Sequence, residues 1–207
     1  MDQMTRRTFG AGGLSLLLAS SASFAQQQSP TVRVRGTVEN ADGPMLTVKS
    51  RGGQTRYKLK MVDDVAVRGV VKASLSDIKQ GSFIGVTGMP QADGSQKAME
   101  IHIFPEALRG TGEGHRPWDL APNSTMSNAT VAQMVKGVQG HEISLKYKDG
   151  EKKIVVAQNT AIVAYVPADK GELRPGAKIV AAASKKEDGT LEAATIAVGR
   201  DGITPPM

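Results

Sequence analysis

The chain has three histidines and no cysteine, so its strongest metal ligands are few and easy to place. His102 falls on the polar side of a short alternating segment, beside Glu100, and His115 follows Glu113 in the middle of the chain. Imidazole nitrogens and carboxylate oxygens are common ligands of zinc and similar metals. If the middle segment folds back along the strand, His102, Glu113 and His115 converge on one ion. Their spacing fits no compact metal motif, and the alternative is that these side chains are solvated or hydrogen-bonded.

A second group of reactive side chains lies in residues 105–130, which include the sequence GTGEGHRPWD at 110–119. This segment holds the only tryptophan of the chain and combines aromatic, charged and rigid residues, as ordered functional loops do. Trp118 would anchor a ligand through buried area, and Arg116 would pair with a carboxylate such as Asp119. The alternative is that these residues only hold two domains together. The predicted ligand- or partner-binding residues, with His102 as their neighbour, are Arg109, Glu113, His115, Arg116, Trp118 and Asp119.

The sequence gives little support for a phosphate-binding loop or a catalytic site. The glycines at 110, 112 and 114 resemble a phosphate loop, but Pro117 and Trp118 follow where such a loop needs Lys-Ser/Thr or a helix. No cysteine, nucleophile elbow or serine beside a histidine is present to support covalent catalysis. Asp63-Asp64 fits a turn better than a catalytic carboxylate pair. The sequence therefore predicts a protein that is not an enzyme and has no cofactor other than the metal ion considered above.

The net charge of +6 raises a different hypothesis, that of a polyanion binder. Basic side chains in the first half could line one face of a domain. A stacking surface for nucleic acid needs exposed aromatic rings, however, and Trp118 is the one clear candidate. Nucleic acid is therefore not among the expected partners. The basic residues in question are Arg33, Arg35, Lys49, Arg51, Arg56, Lys58 and Lys60.

Residues 1–25 have the organisation of a cleaved export signal. The pair Arg6-Arg7 precedes a short apolar run, and a small-x-small cleavage site ends at Ala25. The apolar run is much shorter than the ~20 residues that a membrane span requires. The sequence Thr-Arg-Arg-Thr-Phe at 5–9 favours the twin-arginine route over the general secretory route. We therefore expect a soluble periplasmic protein whose partner is an envelope protein or a small ligand.

The elements that must position these residues are revealed by an internal repeat, because residues 46–103 recur at 143–198. Aligning Leu46 with Ile143 places Leu59 on Val156 and Val65 on Ile162. A two-residue deletion after that point then places Gly81 on Gly176 and Ile101 on Ile196. A duplicated domain explains this agreement better than chance. Features that only one copy has, such as His102, are the better candidates for function.

Alternating polar and apolar residues with Asp-Gly turns predict antiparallel strands in both copies. Six short strands and one helical turn per copy would leave open sheet edges unless each sheet closed on itself. We therefore expect an all-β fold of two tandem six-stranded barrels, with an open sandwich as the alternative. The predicted boundaries are a signal at 1–25, a first barrel at 30–104, a long ordered linker at 105–130, a second barrel at 131–200 and a tail at 201–207.

With its paired barrels, Asp-Gly hairpins and GTGEGHRPWD connection, the mature chain resembles exported bacterial proteins built from a β-barrel domain of unknown function. That domain is similar in shape to oligonucleotide/oligosaccharide-binding barrels. The resemblance implies a fold and a compartment but no activity. Similar sequences are sometimes labelled metal-transporter permeases, a label that this chain contradicts because it lacks several long apolar segments.

Taken together, these features predict an exported, non-enzymatic binding or structural module. The first alternative is a periplasmic metal-binding accessory protein that uses His102, Glu113 and His115. The remaining hypotheses are an uncharacterised enzyme and a polyanion binder. Whether Trp118 lies in an open pocket or is fully buried between the domains should distinguish a binding site from a purely structural contact.

Overall fold

A computed structural model describes residues 31–137 and 140–207, so the predicted signal at 1–25 lies outside the described residues. The described chain is all-β, and its only helical elements are three short 3-10 turns, at Leu75–Asp77, Glu106–Leu108 and Lys170–Glu172. None of its helices is long and apolar enough to cross a membrane. The strands are β1 (Thr31–Asp42), β2 (Met45–Ser50), β3 (Arg56–Lys72), β4 (Phe83–Pro90), β5 (Gln96–Ile103), β6 (Gly114–Pro117), β7 (Thr125–Gly137), β8 (Gly140–Tyr147), β9 (Gly150–Val156), β10 (Ala161–Pro167), β11 (Lys178–Lys185) and β12 (Leu191–Gly199).

The predicted alternation and hairpin turns are confirmed. Val34, Val38, Leu46 and Val48 are buried, while their neighbours along β1 and β2 are more exposed. Side chains of a strand point to opposite faces in turn, so this pattern gives each strand one buried face. The turn glycines include Gly43 and Gly189, whose φ angles of 52° and 84° lie in the region that a side chain disfavours.

Five strands close into a barrel. β1 pairs with β2, β2 with β3, β3 with β12, β12 with β11, and β11 returns to β1. All of these pairs are antiparallel except that of β3 with β12. The barrel encloses a core that includes Leu46, Leu59, Ile179 and Ile196, each at most 1% exposed.

The pairing of β4, β5, β7, β8 and β9 forms a second ring with the same order of strands. β7 pairs with β8, β8 with β9, β9 with β5, β5 with β4, and β4 returns to β7. Only two residue pairs join β5 to β9, Gln96 with Ile154 and Lys97 with Val155. A separate buried cluster fills this ring and includes Ile101, Ile143 and Leu145.

This topology corrects the prediction of two tandem six-stranded barrels at 30–104 and 131–200. Each ring has five strands and combines three from one repeat with two from the other. The first ring takes β11 and β12 from the second repeat, and the second ring takes β4 and β5 from the first. The repeats have the same strand pattern, so the last two strands of either can fill the same position, and hydrophobic alternation does not distinguish these pairings.

Strand register also corrects the alignment of the repeats. Leu46 pairs with Leu59, and its counterpart Ile143 pairs with Ile154. Leu59 therefore corresponds to Ile154 rather than Val156, and the two-residue deletion lies in the turn between the second and third strands of the repeat. From there on, equivalent residues differ by 95 in number.

β10 lies between the two rings, antiparallel to β3 and parallel to β5. Val70 and Tyr165 occupy equivalent positions in the two repeats and pair directly with each other, as expected at a local two-fold axis. A third buried cluster surrounds this point and consists of Val70, Phe83, Phe104, Val163, Tyr165, Ala197 and Met207. Packing between the rings thus supplements the two small cores.

The connection between the repeats is shorter than the predicted linker at 105–130. It contains a 3-10 turn and β6, and β7 already begins at Thr125. The Ser/Asn-rich sequence after residue 122 looks like a spacer, yet Ser124, Ser127 and Asn128 are at most 5% exposed. Burial of these polar side chains is supported by hydrogen bonds, which sequence periodicity does not register.

Candidate functional site

A cleft of about 270 Å³ lies between the outer faces of the two rings. One wall is formed by β5, β7 and the connection, and the other by β1, β11 and β12. The floor is aromatic and apolar, with Phe104, Tyr165 and Met207 from the third cluster. We call this cleft the inter-ring pocket. It contains Trp118 and Arg116 of the GTGEGHRPWD segment together with His102.

Trp118 is half-buried, and arginines flank its ring. The guanidinium carbon of Arg33 lies 3.6 Å from the ring centroid and that of Arg116 lies 5.5 Å from it. Cations are attracted to the negative face of an aromatic ring, so this arrangement fixes the indole and gathers positive charge beside it. The indole Nε1 is buried and has no hydrogen-bond partner among the described residues.

Asp119 holds the connection to the first ring through β1. Arg35 donates two hydrogen bonds to its carboxylate, at 2.7 and 3.1 Å, and Arg33 lies 3.5 Å away. The hydrogen bonds from Arg35 lower the pKa of Asp119. The predicted pairing of Arg116 with Asp119 is wrong, because Arg116 instead donates a 2.7 Å hydrogen bond to the carbonyl of Gly112. Burial lowers the pKa of Arg116, and the nearby Arg33 lowers it further.

His102 is part of a buried polar chain on the β5 side of the pocket. Its Nδ1 lies 3.3 Å from Oε1 of Glu100, and Thr87 donates a 2.8 Å hydrogen bond to the same oxygen. His102 is 2% exposed and Glu100 is 1% exposed. The imidazole stacks edge-on against Phe104 and Tyr165 at centroid distances of 4.8 and 5.4 Å. These contacts fix the ring orientation, as a recognition or positioning histidine requires.

Gly85 makes room for this histidine. Gly85 pairs with His102 across β4 and β5 and with Asn128 across β4 and β7. A Cβ atom at position 85 would lie 2.0 Å from His102 Nε2 and 2.7 Å from Asn128 Oδ1. The imidazole and the amide oxygen therefore both lie over the backbone of Gly85, and no larger residue fits there.

Asn128, Arg68 and Tyr165 complete the pocket, and the sequence does not identify them as functional. Asn128 donates a 3.0 Å hydrogen bond to the carbonyl of Thr111, which fixes its amide, while its buried Oδ1 has no partner among the described residues. The Arg68 guanidinium lies 5.8 Å from the Tyr165 ring centroid, and burial raises the pKa of Tyr165. Asn128 falls within a Ser/Asn-rich run that suggests a spacer. Asn128 occupies the same position in the second repeat as Arg35 in the first, and only the strand register shows this.

The other predicted binding residues lie outside the pocket and hold the connection in place. Arg109 pairs with Glu106 and donates a 2.8 Å hydrogen bond to the carbonyl of Gly81. Glu113 accepts a 3.0 Å hydrogen bond from the backbone N–H of Lys148. These contacts support the structural interpretation for Arg109 and Glu113, and Asp119 shares that role.

The predicted metal set of His102, Glu113 and His115 does not come together. His102 lies opposite Gly85, which in turn lies opposite Asn128 of β7. His115 lies opposite Ser127, the residue before Asn128, and therefore points to the opposite face of the sheet. His115 Nδ1 lies 2.8 Å from the Ser127 hydroxyl, and burial lowers the pKa of His115. Within residues 31–137 and 140–207, no three His, Asp or Glu side chains are grouped closely enough to hold an ion.

A larger cavity, of about 540 Å³, lies beside β10 and the C-terminal residues. Apolar side chains and backbone line most of it, and Lys72 and His141 are its charged or titratable side chains. The smaller inter-ring pocket therefore holds more of the groups that recognise ligands, despite its smaller volume.

No family model, no curated protein and no solved structure matches the chain. Its function is therefore inferred from the chemistry of the inter-ring pocket.

Proposed function

We propose that the protein is an exported, non-enzymatic binding protein whose inter-ring pocket takes a small organic anion with a flat apolar body. The observation that carries this proposal is the grouping of the Arg33, Arg68 and Arg116 guanidinium groups around Trp118 and Tyr165 in one cleft. Guanidinium groups recognise carboxylates and phosphates, and aromatic rings stack on flat ligands.

The charge of the pocket favours an anion. Asp119 compensates Arg33, but Arg68 and Arg116 form no ion pair with any carboxylate of the described residues. Glu100 is buried behind His102 and is held by Thr87. The pocket thus holds two guanidinium groups that lack a carboxylate partner among the described residues, which favours the binding of a ligand carboxylate.

The size of the pocket favours a small molecule. Its volume of about 270 Å³ is just below the range of roughly 300–1,000 Å³ typical of drug-sized ligands. At roughly 30 Å³ per water, it holds about nine waters or a molecule with a similar number of heavy atoms. A carboxylate joined to one aromatic ring has this size.

The position of Trp118 favours binding over a purely structural role. A tryptophan that only joined two domains would be fully buried, whereas Trp118 is half-buried and lines the cleft. Arg109, Glu113 and Asp119 already attach the connection to the two rings. The connection therefore needs neither Arg116 nor Trp118 for its attachment.

The alternatives have less support. The metal hypothesis requires His102, Glu113 and His115 to converge, and they lie on different faces. A hydrolytic enzyme needs a nucleophile beside its base, and the hydroxyl that adjoins the His102–Glu100 pair is that of Thr87, whose proton is donated to Glu100.

Titration with benzoate, followed by the fluorescence of the single tryptophan, tests the proposal. We expect saturable quenching for the wild-type chain and none for neutral benzamide at the same concentrations. Arg116→Met should weaken benzoate binding by about tenfold or more, because a charge-assisted contact is lost. Arg174→Met removes an exposed arginine outside the pocket and should leave the affinity unchanged.

Inorganic phosphate and benzene sulfonate serve as further probes of the anionic group. Once benzoate binding is established, binding of these anions that responds in the same way to Arg116→Met shows which anionic groups the pocket accepts. Equal quenching by benzoate and benzamide, or equal loss in the Arg116 and Arg174 variants, contradicts the proposal.

A further inference from the structure

The surroundings of Trp118 in the inter-ring pocket differ from those of His102 in hydrogen-bonding character. Beside Trp118 the pocket presents donors, the Arg33 and Arg116 guanidinium groups. The wall formed by β5 and β7 instead carries two buried acceptors without partners among the described residues, Glu100 Oε2 and Asn128 Oδ1.

Asn128 is the more informative of the two acceptors because its orientation is fixed. Its Nδ2 donates to the carbonyl of Thr111 at 3.0 Å, so Oδ1 must point the other way, toward Gly85 and His102. Asn128 is 95% buried, and a buried acceptor without a partner is destabilising.

His102 adds a nitrogen at the same place. Its Nδ1 lies 3.3 Å from Oε1 of the Glu100 carboxylate. Nε2 and Asn128 Oδ1 both lie over the backbone of Gly85, at 2.0 and 2.7 Å from where a Cβ would stand. Asn128 Oδ1, which has no partner among the described residues, is satisfied by one donated hydrogen bond, and a ligand hydroxyl or amino group can supply it.

We propose that the ligand carries a hydrogen-bond donor, a hydroxyl or an amino group, which donates to Asn128 Oδ1 beside His102, while its anionic group faces Arg116. The ligand class is thus narrowed from organic anions to hydroxy- or amino-substituted aromatic acids. This inference rests on the proposed function, since it assigns the second end of the ligand in the same pocket.

The test compares benzoate, 3-hydroxybenzoate, 4-hydroxybenzoate and their fluoro analogues by titration of Trp118 fluorescence in the wild-type chain. Fluorine is close to a hydroxyl in size but donates no hydrogen bond. We expect one hydroxybenzoate isomer to bind at least about tenfold more tightly than its fluoro analogue, because a site built to pair with a hydroxyl discriminates strongly against its absence.

Asn128→Leu removes the fixed acceptor and should abolish most of this tenfold preference. Asn40→Leu changes an exposed asparagine of β1 outside the pocket and, as the matched control, should keep it. The wild-type comparison of hydroxy and fluoro ligands decides the inference even if Asn128→Leu fails to fold.

The two possible failures can be told apart. If benzoate and all its derivatives fail to bind, the proposed function is overturned together with this inference. If benzoate binds and responds to Arg116→Met, but hydroxy and fluoro ligands bind equally, only the inference about the donor group is overturned.

Discussion

The two walls of the inter-ring pocket are built from equivalent strands, and their side chains differ in a consistent way. On β4 and β5, Gly85 pairs with His102, whereas on β11 and β12 the equivalent pair is Val180 with Ala197. On the wall of β11 and β12, Val180 provides the side-chain volume and its partner is a small alanine. On the wall of β4 and β5, position 85 is a glycine and His102 provides the volume. Both pairs satisfy the same fold, so the fold alone does not require a histidine.

The buried polar side chains behind His102 likewise occur on one wall only. Glu100 and Thr87 correspond to Thr195 and Ala182 on the other wall, where a buried carboxylate is absent. Burying a carboxylate is costly unless hydrogen bonds compensate it. Four differences therefore make the wall of β4 and β5 polar, and the wall of β11 and β12 shows that the fold forms without them.

The comparison of walls depends on the strand exchange, and engineered disulfides test that exchange with an all-or-none result. Lys60 pairs with Glu192 across β3 and β12, and their side chains form a 3.1 Å ion pair. The cysteine-free chain with Lys60→Cys and Glu192→Cys should oxidise to an intramolecular disulfide. Lys97 is the residue equivalent to Glu192. Lys60→Cys with Lys97→Cys should remain reduced, and the reverse result would establish tandem barrels.

Placing residues of the β11–β12 wall on the β4–β5 wall tests whether the glycine at position 85 is needed to make room for His102. Gly85→Val alone should destabilise the protein by about 3 kcal/mol, because the new side chain overlaps the imidazole. Adding His102→Ala and Glu100→Thr should recover more than half of this loss, since the three changes place the residues of the opposite wall at these positions. Urea unfolding measures both effects.

Gly52→Val is the matched control for that series. Gly52 lies in an exposed turn with open space where a Cβ would stand, and the change should alter stability by less than about 0.5 kcal/mol. A combined variant that is no more stable than Gly85→Val alone would contradict the volume argument.

Arg33→Met tests the stacking on Trp118, because Met126 is the equivalent residue of the other repeat. Loss of the guanidinium 3.6 Å from the indole centroid should cost about 1 kcal/mol of stability and change the fluorescence of the single tryptophan. Arg33→Lys keeps the charge and should retain part of the stability. Equal losses in the two variants would show that the charge contributes nothing and that the guanidinium group itself is required.

Asp119→Asn should have the smallest effect, and that effect should depend on pH. Hydrogen bonds from Arg35 keep the pKa of Asp119 below its unfolded value of about 3.9. The stabilisation is therefore complete above that value and is lost as the pH falls through the lower folded-state pKa. At pH 7 it should be less than about 1 kcal/mol, because the side chain is 46% exposed.

Unfolding of the wild-type chain and of Asp119→Asn should be compared from pH 7 to pH 2. The difference in stability should shrink toward the acidic end. A difference that grows on acidification would contradict the assignment of this ion pair.

Local features of the fold were predictable from the sequence, whereas the pairing of its halves was not. Alternation and the Asp-Gly turns identified the strands because both depend on neighbouring residues. The ring that β11 and β12 join is decided by long-range packing, and two similar repeats offer two equivalent solutions. The shift of two residues in the alignment arose for a similar reason, because a turn tolerates deletions that a strand does not.

The candidate site was predictable where it depended on composition. Trp118 and Arg116 were identified because aromatic and charged residues are unusual beside glycines in a connection, and His102 because its equivalent is an alanine. Asn128 and Arg68 were missed, since each resembles its surroundings in sequence and becomes part of the pocket only through register and ring packing. The metal prediction ignored which face of the sheet each histidine would occupy.

The most direct test of the central claim, that the inter-ring pocket binds a small organic anion, is the NMR signal of the Trp118 indole N–H. The chain has one tryptophan, so this signal is unambiguous, and Nε1 has no partner among the described residues. On titration with benzoate we predict a saturable shift of this signal in the wild-type chain and a much weaker one in Arg116→Met. An indole signal that does not move at millimolar benzoate would contradict the account.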